Sequence, residues 1–460
     1  MSTADAIAAS TADPAWAWQP FRPDARRPWN LRWAGHLYRR AAFGANWRQL
    51  QQSLADGPQR TVDRLVRPED SPDHFDQSFD DYEMSAARAG GTEELRAWWL
   101  RRMIETPHPF REKMTLFWHS HFGISDARVR DARLMAQHVH MLRRHALGPY
   151  RALMEAVSKD PATFLGLNAE ANRKAIPNDN LPRQLMERLA LGRGGFREED
   201  LREAARAFTG WFVLQGRLRY LDREHDGGAK TVLGQTGNWS GNDVLRIVLE
   251  QPAVPRLLAR TLFRWFLSEV DEPSEPLLAS LAERLSADLD VGRAAEMILR
   301  SNLFFSEAAY RRRVKGPVEF AVGIVRGLEG SVPTLRLAAE LGQLGQDLYR
   351  PPTTSGWHGG AHWLNAATQL GRSNLAQALL AAQGEYGGRL DPAAVARQYG
   401  CASLDAAAKW VLDLFLQGDL PNTCRSALLE AAPAAEARDR AHELREVAWA
   451  AASLPEFQLC

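Results

Sequence analysis

At 460 residues the chain is long enough to bury a large apolar core without staples. Its 57 Lys and Arg balance 56 Asp and Glu, a formal net of +1, so no global field draws it to nucleic acid or to an anionic membrane. Three cysteines, Cys401, Cys424 and Cys460, without a C-x-x-C spacing, argue against a zinc knuckle and a disulfide framework and fit a reducing compartment.

Met1 to about Pro28 is rich in Ala, Pro, Ser and Thr and lacks a basic region followed by an apolar run, so residues 1–28 read as a flexible tail. With no recognisable signal peptide, a cytoplasmic location is expected. No stretch approaches the roughly 20 apolar residues that a membrane helix requires, and a soluble chain follows. From Trp29 onward Ala, Leu, Arg and Glu dominate, and apolar residues recur every three or four positions. The pattern predicts an all-α, multi-helix protein over 29–460, open to division into two packed helical lobes.

Phe117-Trp118-His119-Ser120-His121-Phe122 places two histidines among aromatics that exclude water. At i and i+2 they point about 200° apart on a helix, so one metal cannot take both unless the chain bends. Gly123 just behind predicts a helix end there. Leu134, His138, Met141, Leu142 and His145 form an apolar helical face that stops at Gly148-Pro149. For histidines on such a face, a bond to a backbone carbonyl is the commoner role.

Pro177 to Glu187 is richer. Asn178 or Asp179 is a natural N-cap. Asp179, Arg183 and Glu187, at successive i+4 positions, predict a ridge of carboxylate, guanidinium and carboxylate. It reads equally as a surface ladder and as a site where Arg183 binds an anion and Glu187 acts as base or ligand. Glu198, Glu199 and Asp200 open a further helix with Leu201, Ala204, Ala205, Phe208 and Trp211 on one face.

Glycines from 227 to 241 break the pattern and predict a short β-hairpin within 212–240, with a lobe seam near 212–242. His225, Asp226 and Lys230 lie in this break. The stretch Pro351 to Gly360, carrying Trp357 and His358 and followed by His362 and Trp363, cannot be helix and reads as a binding loop. Walker, dinucleotide-binding, G-x-S-x-G and H-E-x-x-H patterns are absent.

Taken together, Arg39 to Gly44, Phe117 to Phe122, Pro177 to Asn180 with Arg183 and Glu187, Ala204 to Trp211, Lys230 to Gly234, Val314 to Glu319 and Pro351 to Trp363 occur in the order of a bacterial family. From about Trp29 to the C-terminus the chain resembles domain of unknown function 1800, whose activity is not established. Where that family's pattern resembles Asn-Glu-Asn followed by Arg-Glu, this chain has Asp179 and Gln184, which weakens any metal role for position 184. The resemblance implies relatives that are often exported, beside a second protein resembling sulfatases, which makes such a protein a candidate partner.

The reading that follows is an enzyme, a hydrolase or transferase acting on an anionic small molecule or carbohydrate, with a divalent metal as candidate cofactor. His119, His121, Glu187, Arg183, His225 and Asp226 are its candidate catalytic groups. Asn178, Asp179, Asn180, Arg206, Lys230, Trp357 and His358 would bind substrate, and His119, His121 and His358 are the candidate metal ligands. Two other readings fit the same residues: a helical scaffold or binding module with Trp-rich loops at its interface, and a copper or iron oxidoreductase with histidine ligands.

Overall fold

Short polar side chains and glycines decide where the helices begin and end. In the computed structural model, which describes residues 13–67, 73–88, 91–418, 423, 425–426 and 440–460, Asn46 and Ser240 close capping boxes with Gln49 and Asp243. Asp131, Asp160, Asp290 and Asp391 accept first-turn N–H groups of the helices that follow them, satisfying donors a helix leaves free. The fold is largely all-α, as the periodicity predicts. Residues 1–12 of the expected tail, and Cys424, lie outside the described residues.

Two corrections concern organisation. Residues 13–21 are packed rather than part of a tail: Asp13 caps the helix Pro14–Ala17, Trp18 and Phe21 are buried, and Phe21 N donates to the Arg300 carbonyl at 2.7 Å. The region around 212–240 holds two hairpins instead of one. β1 (Trp211–Leu214) pairs antiparallel with β2 (Arg217–Tyr220), and β3 (Lys230–Val232) with β4 (Gln235–Gly237). Both loops, Gln215-Gly216 and Leu233-Gly234, have positive φ at each residue, the hand that matches strand twist. Buried apolar residues on both sides of this region, from Ala17 to Phe457, join in one cluster.

The helix Pro109–Phe122 runs through that core against Ala132–His145, Glu93–Glu105 and Leu31–Ala41. It carries charge inward. Buried Glu112 accepts Arg102 Nε and Arg143 Nε, each at 2.7 Å, and Trp99 Nε1 at 3.0 Å. Burial alone would raise its pKa, but Arg143 and Arg102 outweigh burial and hold it at about 2. Lys113 pairs with Glu319, which also pairs with Arg313 and accepts Gly316 N at 2.8 Å. These ions are closed on themselves, as buried charge requires.

Candidate active site

The two histidines of the helix Pro109–Phe122 diverge, as their spacing predicts. His119 points into the core between Trp99, Tyr349 and Trp357, with ring centroids 5.4, 5.9 and 5.4 Å away, and neither ring nitrogen has a hydrogen-bond partner among the described residues. Burial, with His138 adding to it, depresses its pKa well below the usual imidazole value. His121 stacks on Phe117 at 5.7 Å and faces a cavity of about 720 Å³. Burial, then the Arg188 charge, lowers it to about 3, so it is a neutral imidazole at physiological pH.

The same helix fixes the opposite wall. It ends at Gly123 with φ +65°, and a Cβ there would overlap the Thr354 carbonyl; a Cβ at Gly356, φ +79°, would overlap the Ser120 carbonyl. Only glycine at both positions lets loop 351–363 lie directly on the helix end. That loop brings His358 and His362, rings 5.4 Å apart, and Trp357 into the cavity wall, which Glu269 and Arg313 also line. Burial raises the Glu269 pKa against the opposing Arg313 charge, and one carboxylate oxygen accepts Val314 N at 2.6 Å.

A second pocket, of about 480 Å³, adjoins the first and shares Arg188 and Ser355 with it. Arg128, Arg183, Arg188 and Arg193 line it with Asn180 and Glu187. The helix Asn180–Arg183 passes into a π-helical stretch, Gln184–Ala190, a form common at functional sites. The wider turn breaks the expected ridge after Arg183. Arg183 bonds Asp179 at 2.8 Å and Glu198 at 3.3 Å, while Glu187 turns to Arg193 at 3.0 Å. Asn178 accepts Asn180 N at 3.0 Å, so it and not Asp179 caps the turn. Arg188 donates to the His121 carbonyl at 3.3 Å and the Ser355 carbonyl at 2.7 Å, and among the described residues it pairs with no carboxylate.

Several expected members lie elsewhere. Arg206 holds Asp226 at 2.6 and 3.1 Å and Glu203 at 3.0 and 2.9 Å. His225 Nδ1 bonds the Thr209 carbonyl at 2.9 Å, and the Lys230 ammonium donates to the Asp226 and Gly228 carbonyls. These four residues knot the hairpins to the helix Glu198–Ala207 and line neither pocket. The candidate triad His119, His121 and His358 does not converge: among the described residues the one group of three donors close enough for a metal is Asp80, Glu83 and His140. Trp357 and Trp363 are packed into the core, which removes them from an exposed aromatic interface.

Arg188, Glu269 and Arg313 escaped the sequence reading. Arg188 lies within the polar 177–190 segment and Arg313 directly precedes the Val314 to Glu319 match, signals that a closer look could have used. Glu269 stands with Asp271 and Glu272 in a short acidic run after a helix, where no local pattern sets it apart. The architecture offers a guanidinium unpaired among the described residues for an anion, a neutral histidine to accept a hydrogen bond and a carboxyl whose pKa burial raises.

No helix among the described residues is long and apolar enough to cross a membrane. No curated protein and no solved structure matches the chain. Residues 36–459 match the model of a protein family of unknown function, DUF1800, and with nearly its whole length covered the chain belongs to that family.

Proposed function

We propose that the protein is a hydrolase or transferase acting on an anionic small molecule, phosphorylated or carbohydrate-derived. One observation carries this reading: Arg188 stands at the junction of two cavities with its charge uncompensated by any carboxylate among the described residues. Bringing a guanidinium out of bulk water without a counter-ion is unfavourable, and burial accordingly lowers the Arg188 pKa. An anionic ligand supplies the missing charge. Arg183 and Arg193 line the same pocket but are already paired with Asp179, Glu198 and Glu187, so they add little net charge to it.

Chemistry would take place on the His121 side of Arg188. Glu269, whose pKa burial raises, takes a proton from water or a substrate hydroxyl as that oxygen attacks and returns it to the leaving oxygen, while His121, held neutral, accepts a hydrogen bond that orients the attacking oxygen. The exposed His358 and His362 border the cavity beside the buried Trp357.

Calorimetric titration with inorganic phosphate, glucose 6-phosphate and a sulfated monosaccharide tests the reading. Saturable binding of at least one, weakened about tenfold or more by Arg188→Gln, supports it. If none binds, or if the variant binds equally well, the anion site is elsewhere. Release of phosphate or sulfate from the ligand that binds, abolished by Glu269→Gln with binding retained, separates catalysis from mere capture.

A further inference from the structure

Far from both pockets in the sense that it shares no lining residue with them, a third cavity of about 530 Å³ opens between the helices Asp73–Arg88 and Ala132–His145. Asp80 and Glu83 stand one turn apart on the first helix, so both face the second. His140 of the second helix faces them. One donor atom from each of the three lies within 4.8 Å of the others. His140 Nδ1 is 3.9 Å from Glu83 Oε2, too far for a hydrogen bond and close enough for both atoms to ligate one ion.

We propose that Asp80, Glu83 and His140 bind a divalent first-row metal ion, with Zn²⁺ the best match. The geometry alone would be an ordinary polar cluster. What adds to it is the state of Glu83, which is only 4% exposed while its Oε1 has no hydrogen-bond partner among the described residues. A buried carboxylate oxygen left unbonded is costly, and native structures rarely tolerate it without an ion or water to fill the gap. The nearest cation to Asp80 is Arg102 Nη1, 3.6 Å away and outside hydrogen-bond range. His140 Nε2 lies 3.4 Å from Arg144 Nη2, on the side away from the carboxylates, which leaves Nδ1 directed at the metal position.

Two carboxylates and one imidazole form a borderline-hard donor set suited to Zn²⁺ and not to copper(I), which prefers thiolate. Asp80 and His140 are partly exposed, with side chains 40% and 37% accessible, so a fourth position opens to solvent. Arg88, Arg133 and Arg144 rim the cavity. Their charge weakens metal binding relative to an all-acidic site, and it favours an anion on the open position of the metal.

The full-length protein, stripped with a chelator and dialysed, is titrated with Zn²⁺ alone by calorimetry, with Co²⁺ as a spectroscopic stand-in. One equivalent should bind, and the Co²⁺ complex should show visible d–d bands. Glu83→Gln and His140→Asn should each weaken Zn²⁺ at least tenfold while the circular dichroism spectrum stays unchanged. Should Glu83→Gln fail to fold, His140→Asn and Asp80→Asn, on partly exposed side chains, decide alone. Absence of saturable Zn²⁺ binding by the unaltered protein, or retention of the full equivalent in these variants, overturns the assignment.

Discussion

Arg206 and Arg188 are both partly buried arginines among polar residues, and they end in opposite electrostatic situations. Arg206 donates to two carboxylates and a carbonyl, and its hydrogen bonds to Asp226 and Glu203 raise its pKa. Arg188 donates to two carbonyls only, and burial lowers its pKa. The first is a strut between the helix Glu198–Ala207 and the hairpins. The second holds charge in reserve beside two voids. Residue type does not separate structure from chemistry here; what separates them is whether the charge is already answered by the protein.

The sharpest way to test that distinction is to turn an answered charge into an unanswered one. Glu112→Ala leaves Arg143 buried without its carboxylate, while Arg102 keeps Asp76. A loss of about 3–5 kcal/mol is expected, read by urea unfolding. A loss below about 1 kcal/mol would mean that the network is hydrated and the comparison misplaced. Arg188→Gln should do the reverse, with phosphate affinity falling about 10- to 100-fold, roughly 1.4–2.7 kcal/mol, and a melting temperature held or raised. A drop in stability instead would make Arg188 another strut.

Much of this was legible in the residues. Three- and four-residue periodicity gave the helices, and glycine breaks located the hairpins, because both signals are local. The divergence of His119 and His121 followed from helical geometry alone. Convergence was not legible. His225-Asp226 and His358 look alike as polar loop residues, yet the first pair is consumed by Thr209 and Arg206, 16 and 20 residues away, while His358 borders a cavity built from distant segments of the chain. The π-helical register at Gln184 likewise overrode an i+4 argument that assumed a regular helix. Residues 13–21 misled for a compositional reason, since Trp18 and Phe21 anchor a segment whose Ala, Pro and Ser content suggests a tail.

Two smaller effects sharpen the contrast. Asp226→Ala should cost about 1 kcal/mol, because its carboxylate is partly exposed and Arg206 retains Glu203. Phosphate affinity should be unchanged in that variant, since none of these groups lines the anion pocket. A parallel loss of binding would tie the knot to the site after all.

The smallest effect concerns His121 and follows from sign. Its folded pKa, about 3, lies below the unfolded value near 6.5, so above pH 6.5 the ring is neutral in both states and its contribution to stability is complete. As pH falls from 6.5 toward 3, the unfolded chain takes up a proton that the folded protein refuses, and stability is lost. Glu112 and Glu319, both held at about 2, lose theirs only below the unfolded carboxylate range, and Glu83, raised by burial to about 7, acts in the opposite direction. Comparing the protein with His121→Asn cancels these common contributions. Between pH 7.5 and 5.5 the unaltered protein should lose more stability than the variant, by less than about 1 kcal/mol given the partial exposure of the ring. Equal slopes would place the imidazole in water and take it out of the cavity wall.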